Sequence, residues 1–324
     1  MHVRSFAKPR VVVSKCLEFA ACRYNGAKIP DKFIRQLEPF VSFKKVCPEL
    51  AIGLGVPRDP IRILTYKNEY RLVQPATGKD LTSKMKIFTK KFSDALGEID
   101  GFILKSRSPS CGIKDVKIKS GRDGKTLVGK GAGMFGGLIA ERFPGLAVED
   151  EGRLTNFRIR EHFLTKIFLY ADFREVKKAR KIQKLIGFQA NNKLLLMAYN
   201  QKQLRILGKI VANHEKHNID RVLSDYQNNL YHALNKSPRY TSNINALMHA
   251  LGYFSKQLLS EEKSYFLKSL DKYRNEQLPL SALTGIIRAW IIKYKNDYLA
   301  GQTFFEPYPN ELISISDSGK GRSN

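Results

Sequence analysis

The run VVVSKC (Val11–Cys16) is a short β-branched pattern that ends in a cysteine. The same arrangement returns in FVSFKKVC (Phe40–Cys47) and in GFILKSRSPSC (Gly101–Cys111). β-Branched and aromatic runs bounded by turn residues are typical of strands. Ligands of an open parallel α/β sheet bind at the carboxyl ends of its strands, so we expect these three cysteines at one crevice. Three soft ligands there indicate a metal centre with room for a substrate.

Strand and helix patterns alternate through the first half of the chain. Strands are expected over residues 9–15, 39–46, 100–105 and Leu146–Glu149. Helices are expected over Asp31–Leu37, residues 80–98 and Leu138–Phe143. The repeated order of strand, helix and strand predicts an α/β domain with a mainly parallel, Rossmann-like sheet.

The pattern changes at Leu154, beyond which strand-like runs give way to successive amphipathic segments. Helices are expected over Phe157–Arg180, Asn191–His214, Ile219–Leu234, Asn243–Leu259, Glu261–Glu276 and Ser281–Leu299. Apolar residues in these segments recur at the three-and-four spacing of one helical face. We therefore predict an all-α second domain. The first domain is expected over residues 1–153, the second over 154–313, and a disordered tail over 314–324.

Positive charge is spread over the whole chain. Lys and Arg total 56 against 30 acidic residues, a net charge of +26. Residues 1–150 hold 28 basic and 15 acidic side chains, and residues 151–324 hold the same numbers. An excess shared by both domains favours an extended polyanion such as nucleic acid as the partner. A basic surface that serves only solubility is the alternative.

The protein is expected to be cytoplasmic and to have no membrane partner. Its first residues, MHVRSFAKPRVVV, lack the apolar core of a signal peptide, and no run approaches the ~20 apolar residues of a membrane span. The cytosol keeps thiols reduced, so a disulfide framework is not expected for the four cysteines. Metal binding, catalysis and simple burial remain as their roles.

The spacing of the cysteines bears on the kind of metal. The intervals between them contain 5, 24 and 63 residues, without a C-x-x-C pair, and His2 is the only histidine before residue 160. Structural zinc sites draw closely spaced Cys or His pairs, so zinc is disfavoured. Iron–sulfur clusters tolerate dispersed thiolates, and three thiolates on a four-iron cluster leave one iron open. Burial as small apolar side chains is the alternative.

Longer motifs around these cysteines resemble the thiouracil desulfidase family. They are SKCLEFAACRYNG (Ser14–Gly26), VCPELAIGLGVPRDPI (Val46–Ile61), LKSRSPSCG (Leu104–Gly112), GKGAGMFGG (Gly129–Gly137) and the closing VEDEGRL. The resemblance implies a 4Fe-4S cluster held by Cys16, Cys47 and Cys111, with Cys22 outside the ligand set. The open iron would act as a Lewis acid towards a thiocarbonyl sulfur, which water then displaces without net electron transfer.

The resemblance also implies catalytic residues. The family's catalytic glutamate falls at Glu49, which would act as the base for water. A carboxylate that caps the next helix is the alternative. Ser108 would orient the base or the leaving sulfur, with Ser106 and Ser110 as competitors, although serines beside a proline often only shape a turn.

Two further motifs have open interpretations. In CRYNG, Arg23, Tyr24 and Asn25 could hold a flipped thiobase, and a simple turn completed by Asn25 and Gly26 is equally compatible. Gly129–Gly137 is similar to phosphate-binding loops, but it lacks the full dinucleotide spacing and the acidic partner. No nucleotide cofactor is therefore expected, and close backbone packing near the cluster or contact with an RNA phosphate are the alternatives.

The second half carries its own resemblance. FQANNKLLLMAYNQKQLRILGKIVAN (Phe188–Asn213) is similar to the YbgA-like helical family. Fusion of that family to a thiouracil desulfidase domain is the architecture of bacterial desulfidases that act on 4-thiouridine in tRNA. RNA contacts are accordingly expected at Lys193, Lys202, Arg205 and Lys209, of which the last three share a helix face. For any one of them, a solvated surface residue is the alternative.

Gln189 and Asn192 stand where relatives are expected to carry histidine. A packing or RNA-contacting role is therefore expected there, in place of proton transfer or metal binding.

Together these features predict an iron–sulfur-dependent desulfidase that converts 4-thiouridine in tRNA to uridine. Two alternatives remain: a desulfidase of free thiouracil or thiouridine, and a non-catalytic RNA-binding protein with a structural or sensing cluster. The spread positive charge argues against the first, and Glu49 with the SRSPSCG loop against the second. tRNA is the expected partner, and the sequence indicates no particular oligomeric state.

Overall fold

The computed structural model describes residues 4–66, 69–120, 126–213 and 215–314. Its contacts divide the chain into an α/β unit, residues 8–171 with 311–314, and a helical unit, residues 4–7 with 172–310. The division falls within a helix, Phe157–Ala179. The sequence boundary expected after residue 153 stays a prediction, and the predicted tail lies outside the described residues from 315 onward.

The α/β unit contains nine strands and four helices before that long helix, within the described ranges. The strands are β1 (Arg10–Ser14), β2 (Ser42–Val46), β3 (Arg62–Tyr66), β4 (Glu69–Gln74), β5 (Lys79–Asp80), β6 (Gly101–Leu104), β7 (Val116–Ser120), β8 (Thr126–Gly131) and β9 (Ala147–Asp150). The helices are α1 (Lys32–Leu37), α2 (Pro48–Ala51), α3 (Thr82–Asp94) and α4 (Met134–Arg142).

The first sheet is parallel throughout, with the strand order β2-β1-β6-β9. Its central strands are apolar and buried on both faces, as is usual for parallel sheets covered by helices. Val12 and Phe102 pair in register and are both fully buried. The predicted α/β domain with a mainly parallel sheet is confirmed.

A glycine on β6 lets the long helix approach this sheet. A Cβ atom at Gly101 would lie 2.9 Å from the Cγ2 atom of Ile167 and 2.8 Å from the carbonyl oxygen of Ala147. Only a residue without a side chain fits there, so the sheet and the helix pack at close range.

A second sheet of five strands, in the order β5-β4-β3-β7-β8, lies in the same unit. The sequence reasoning missed it. β3 pairs antiparallel with β4 and parallel with β7, and β7 pairs antiparallel with β8. Alternate residues such as Ile63, Leu72 and Ile118 are buried, which is the pattern of a sheet with one covered face. That alternation is visible in VKIKS (Val116–Ser120), whereas RILTY (Arg62–Tyr66) has two adjacent buried residues.

The second half is helical, as predicted. The helices are α5 (Phe157–Ala179), α6 (Ile182–Asn191), α7 (Lys193–Tyr199), α8 (Gln201–Ala212), α9 (Ile219–Ala233), α10 (Tyr240–Gly252), α11 (Ser260–Arg274), α12 (Leu280–Tyr294) and α13 (Asp297–Ala300). Short 3₁₀ turns span Arg153–Thr155, Thr303–Phe305 and Asn310–Leu312. Among the described helices, none combines the length and the apolar character that a membrane crossing needs.

The single helix expected over Asn191–His214 is wrong. Helix α6 ends within this stretch, and α7 and α8 follow it as separate helices. Asn200 causes the second break, because its backbone is extended and its side chain accepts a hydrogen bond from the Gln203 amide at 3.1 Å. An asparagine that caps the next helix in this way favours a helix start over a helix interior.

Candidate functional site

The three predicted cysteines follow adjacent parallel strands. Cys47 comes directly after β2, Cys16 follows β1 by two residues, and Cys111 lies in the loop after β6. The Lys15 amide donates to the Val46 carbonyl at 2.7 Å, which joins the ends of the first two strands. The expected convergence at the carboxyl edge of the sheet is therefore present in the structure, and the role of these cysteines as ligands stays a prediction.

A cavity of about 380 Å³ opens at this edge. Its wall consists of residues from the strand ends and the loops that follow them. They are Ser14, Cys16, Cys22, Arg23, Tyr24, Val46, Cys47, Pro48, Glu49, Arg58, Pro60, Ile61, Lys105, Ser106, Arg107, Ser108, Pro109 and Cys111. The volume is within the range of small-molecule sites in proteins.

All four cysteines line the cavity, including the one that the resemblance leaves outside the ligand set. Cys22 is 3% exposed, and its thiol shares a hydrogen bond with Cys47. Burial, and then the neighbouring Cys47 and Cys16, raise the pKa of the Cys22 thiol to about 12. Cys22 is therefore a neighbour of the predicted ligands.

Burial also raises the thiol pKa of two predicted ligands. It raises the pKa of Cys16 to about 11, with a further increase from Cys47 and an opposing effect of Lys105. The pKa of Cys111 is raised by burial, while a hydrogen bond with Ser14 acts in the opposite direction. Cations favour thiolates, so a bound metal centre would stabilise the form that these residues otherwise avoid.

The thiols around the cavity are the kind of donor that holds an iron–sulfur cluster. Among the residues that the structure describes, no group of three or more His, Cys, Asp or Glu side chains is arranged to hold a metal ion. A tetrahedral zinc ion needs every thiolate about 2.3 Å from one centre. In a 4Fe-4S cluster each thiolate binds a different iron, so the sulfur atoms surround a volume. Thiols around a cavity are the donor set for the second case.

Glu49 is held at the wall of the cavity from both sides. Its Oε1 atom accepts a hydrogen bond from Ser110 Oγ at 3.0 Å. Its Oε2 atom accepts bonds from Arg58 Nε at 2.9 Å and Nη2 at 2.6 Å. The N-cap position of α2 is occupied by Cys47, so the carboxylate faces the cavity residues and is not the cap of that helix.

Arg58 was not predicted from the sequence. Its side chain is only 6% exposed, and it also donates to the carbonyl oxygens of Cys22 at 3.0 Å and Gly55 at 2.9 Å. These bonds fix the guanidinium group relative to both the Glu49 carboxylate and the CRYNG loop. The proline-flanked VPRDP run gave no local signal of this contact, which joins separate loops.

The three serines of the SRSPSCG loop have different partners. Ser110 Oγ contacts Glu49, whereas Ser108 Oγ accepts bonds from the amides of Ser110 at 3.2 Å and Cys111 at 3.1 Å. Ser108 therefore lines the cavity and shapes the turn that presents Cys111. Of the three, the structure places Ser110 beside the candidate base.

Ser106 belongs to a second polar group, which sequence reasoning also missed. Its Oγ and amide donate to Glu151 at 2.7 Å each. Lys105 forms an ion pair with Glu151 and donates to Ser106 Oγ at 2.9 Å. Glu151 comes from the VEDEGRL motif, so this motif contacts the LKSRSPSCG motif at two residues that line the cavity.

The three CRYNG residues differ in position: two lie at the cavity, and the third belongs to a turn. Arg23 and Tyr24 line the cavity, the guanidinium lies 5.5 Å from the tyrosine ring centre, and Tyr24 is 42% exposed. Asn25 Oδ1 instead accepts a bond from the Ala27 amide at 3.2 Å and shapes an exposed turn. Two of the three residues therefore line the cavity, and their contact with a substrate stays a prediction.

The glycine-rich segment packs closely against the Cys111 loop. The Gly133 amide donates to the Gly112 carbonyl at 2.7 Å. A Cβ atom at Gly136 would lie 2.3 Å from the Cys111 carbonyl oxygen. Of the alternatives considered for this segment, the structure shows close backbone packing beside the candidate metal site.

In the helical unit, the predicted RNA contacts are all exposed. Lys193 begins α7, while Lys202, Arg205 and Lys209 lie on one face of α8. Their contact with RNA stays a prediction.

The side chains at the two positions where histidine was expected both form hydrogen bonds within the helical unit. The Tyr226 hydroxyl donates to Gln189 Oε1 at 2.6 Å. Asn192 is 2% exposed, donates to the Phe188 carbonyl at 2.8 Å and accepts a bond from Thr303 Oγ1 at 2.5 Å. These bonds correspond to the packing role.

Comparison with known proteins divides the chain in the same way as the motifs. Residues 11–151 match the family described as 2-thiouracil desulfurase, and residues 193–309 match a family described as a protein of unknown function, DUF1722. The uncharacterized protein YbgA of Escherichia coli (strain K12) is 30% identical over 136 residues, which are 42% of this chain and 80% of YbgA. The uncharacterized protein YbbK of Bacillus subtilis (strain 168) is 33% identical over 128 residues, 37% of this chain and 84% of YbbK.

A solved structure described as the 4Fe-4S-dependent thiouracil desulfidase TudS is 28% identical, with a TM-score of 0.36. It covers 45% of this chain and 93% of its own.

The fold and the site define an α/β protein whose parallel strands end at a cysteine-lined cavity, joined to a helical unit. The chain belongs, in these two parts, to the 2-thiouracil desulfurase family and to the DUF1722 family that the YbgA relative represents. The resemblance noted in both halves of the sequence is confirmed.

Proposed function

We propose that the protein is an iron–sulfur-dependent desulfidase that converts 4-thiouridine in tRNA to uridine. One observation carries the proposal: Glu49 is held by Arg58 and Ser110 at the wall of a cavity that four cysteines line. Membership of the 2-thiouracil desulfurase family supports removal of sulfur as the reaction. The net charge of +26 supports a polyanionic substrate.

Cys16, Cys47 and Cys111 are the residues that would hold the cluster. When bound there, a 4Fe-4S cluster supplies a Lewis-acidic iron for the sulfur of a thiocarbonyl group. Cys22 lines the same cavity beside them and is outside the ligand set that the family resemblance implies.

We assign the proton transfers to Glu49. Its carboxylate accepts a proton from the water that attacks the carbon of the thiocarbonyl group. Arg58 keeps the carboxylate in one orientation through two bonds, so the lone pair that takes the proton is already in place. The balance is a thiocarbonyl and water giving a carbonyl and hydrogen sulfide, and no electrons are transferred.

Recognition of the base is assigned to the rim of the cavity. A base inside a folded RNA must leave its stack to reach the cavity, and exposed bases stack on aromatic rings and guanidinium planes. Tyr24 and Arg23 supply one of each at the rim. Lys105, which also lines the cavity, supplies a positive charge for the departing sulfide.

Desulfuration of free thiouracil or thiouridine is a second candidate, because a cavity of about 380 Å³ has room for a free base. The charge of both halves of the chain favours the RNA substrate over this one. A non-catalytic RNA-binding protein is the third candidate, and the Glu49 arrangement speaks against it.

The test uses the full chain, purified without oxygen and with its cluster reconstituted. It is incubated with thiolated tRNA and, separately, with free 4-thiouridine, and the near-ultraviolet absorbance of the thiocarbonyl is followed. We expect loss of absorbance with tRNA at far lower substrate concentration than with the nucleoside. An intact cluster without loss of absorbance on either substrate would refute the proposal, and faster turnover of the free nucleoside would select the second candidate.

A further inference from the structure

The second sheet carries a row of cations on its exposed face. Lys117 on β7 and Lys130 on β8 are directly opposite each other in the antiparallel register. The parallel pairing of Ile63 with Ile118 places Arg62 on the other side of Lys117. We call Arg62, Lys117 and Lys130 the cationic row.

The row lies on the side of the sheet opposite to Ile63 and Ile118, where Arg62 is half-buried and Leu64 is buried. Ile63 and Ile118 are 1% and 3% exposed, and their sequence neighbours point to the opposite face because side chains alternate along a strand. Lys117 and Lys130 are both exposed. Tyr66 lies on the same face, is 54% exposed and contacts the Arg71 guanidinium at 5.0 Å.

Such a row costs stability in the isolated protein. Like charges directly opposite each other on neighbouring strands destabilise a sheet. Within the described part of the chain, neither Lys117 nor Lys130 has an acidic side chain at ion-pair distance. An anionic partner laid across the strands would offset this repulsion.

The row stands at the end of the sheet that is joined to the cavity. β3 begins at Arg62, immediately after Pro60 and Ile61, which line the cavity. β7 begins five residues after Cys111. A partner bound along the row would therefore continue towards the cavity.

The geometry points to the cationic row as the surface that binds the RNA phosphate backbone beside the thiobase site. The inference rests on the proposed function, since it names where the RNA that carries the thiobase lies. Cations spaced at the strand separation of about 4.8 Å suit a chain of phosphates, whereas a free base has no charge for them to bind. An exposed tyrosine on the same face is the type of side chain on which an unstacked base rests.

The test compares two double variants of the full chain. Lys117→Gln with Lys130→Gln removes two charges of the row. Lys86→Gln with Lys90→Gln removes the same charge from exposed positions of α3 in the same unit. The probe is tRNA without thiolated bases, and its association constant is measured at several salt concentrations.

The row variant should lose on the order of tenfold to a hundredfold in affinity near 0.1 M salt, with a salt slope lower by about 2. The α3 variant should stay close to the unchanged protein. Equal losses in both variants, or no loss in either, would overturn the inference. tRNA without thiolated bases can bind but cannot react. A loss of affinity confined to the row variant therefore supports the row as the binding surface, even if thiolated tRNA is never desulfurated. If the protein is an active desulfidase but the row variant keeps its affinity for tRNA, this inference is overturned and the proposed function is not.

Discussion

Glu49 and Arg58 form the contact on which the proposed chemistry depends most. The carboxylate accepts from Arg58 and from Ser110, so it is fixed before any substrate arrives. Glu49→Gln keeps the size of the side chain and one oxygen that can accept from Arg58, but removes the carboxylate that accepts the proton. We expect turnover to fall by about 10²–10⁴-fold, the usual contribution of a general base.

The measurement follows thiocarbonyl absorbance and the visible absorbance of the cluster in the same sample. The control is Glu98→Gln, which alters an exposed carboxylate elsewhere in the unit. A Glu49→Gln protein with an intact cluster and full turnover would remove Glu49 from the mechanism.

The cysteines permit a comparison among side chains of one cavity. Cys16→Ala removes a predicted ligand, and Cys22→Ala removes a thiol that lines the same cavity without the ligand role. We expect Cys16→Ala to lose both cluster and activity, because two thiolates cannot hold the cluster alone. Cys22→Ala should retain both. Iron and sulfide content per chain is the measurement, and loss of iron from the Cys22 variant would assign it to the ligand set.

At this scale the sequence predicted which residue types converge but not all of their partners. Cysteines at strand ends converge because parallel strands share one edge. The bond between Ser110 and Glu49 joins a loop to helix α2 across 61 residues of sequence. Contacts of this kind depend on how the loops fold over the sheet edge, and periodicity carries no information about them.

The loop that presents Cys111 is supported by the glycines that precede and open α4. A Cβ atom at Gly136 would meet the Cys111 carbonyl oxygen at 2.3 Å, while one at Gly129 would meet nothing within 4 Å. Gly136→Ala should therefore destabilise the protein by about 1–3 kcal/mol, the usual cost of overpacking, and displace the loop. Gly129→Ala should be close to neutral. Urea unfolding measures the stability of each variant, and iron content reports whether the displaced loop still holds the cluster. Equal stability of the two variants would contradict this packing.

Helix α5 contains a buried lysine whose titration affects stability. Burial lowers the pKa of Lys166 to about 8, although Glu149 acts in the opposite direction. The lysine has its ordinary pKa near 10.5 in the unfolded chain, so the unfolded state binds more protons between about pH 8 and 10.5. The free energy of unfolding should accordingly rise with pH through this window, by on the order of 3 kcal/mol.

Lys166→Met should flatten that rise, while Lys90→Met, at an exposed position, should keep it. Urea unfolding at a series of pH values measures both profiles, and all other titrating groups are common to the two variants. Profiles that stay parallel would show that Lys166 does not titrate in this range.

The elements show where sequence patterns suffice. The central strands of the first sheet, β1 and β6, were predicted because a strand buried on both faces is a continuous apolar run. The second sheet was missed because its strands lack continuous apolar runs, as in VKIKS (Val116–Ser120), where only alternate residues are buried. The helix expected over Asn191–His214 was wrong because Asn200 starts a new helix, a local hydrogen bond that overrides the apolar periodicity.

At the scale of the molecule, the two units correspond to the two families and carry different sets of the predicted residues. The α/β unit holds the whole cavity, every predicted cluster ligand and the cationic row. The helical unit supplies exposed lysines and arginine on α7 and α8. The charge of the chain predicted a polyanionic partner, and the register of the second sheet gives the further surface that we propose for it.

The central claim is hydrolytic removal of sulfur from a base in RNA at the cysteine-lined cavity. The most direct test incubates the anaerobic, cluster-loaded protein with thiolated tRNA in water enriched in heavy oxygen, and analyses the nucleosides and the sulfide released. The account predicts uridine that carries the heavy oxygen at the former thiocarbonyl position, with one sulfide for each base converted. Unchanged 4-thiouridine, or uridine whose new oxygen does not come from water, would contradict it.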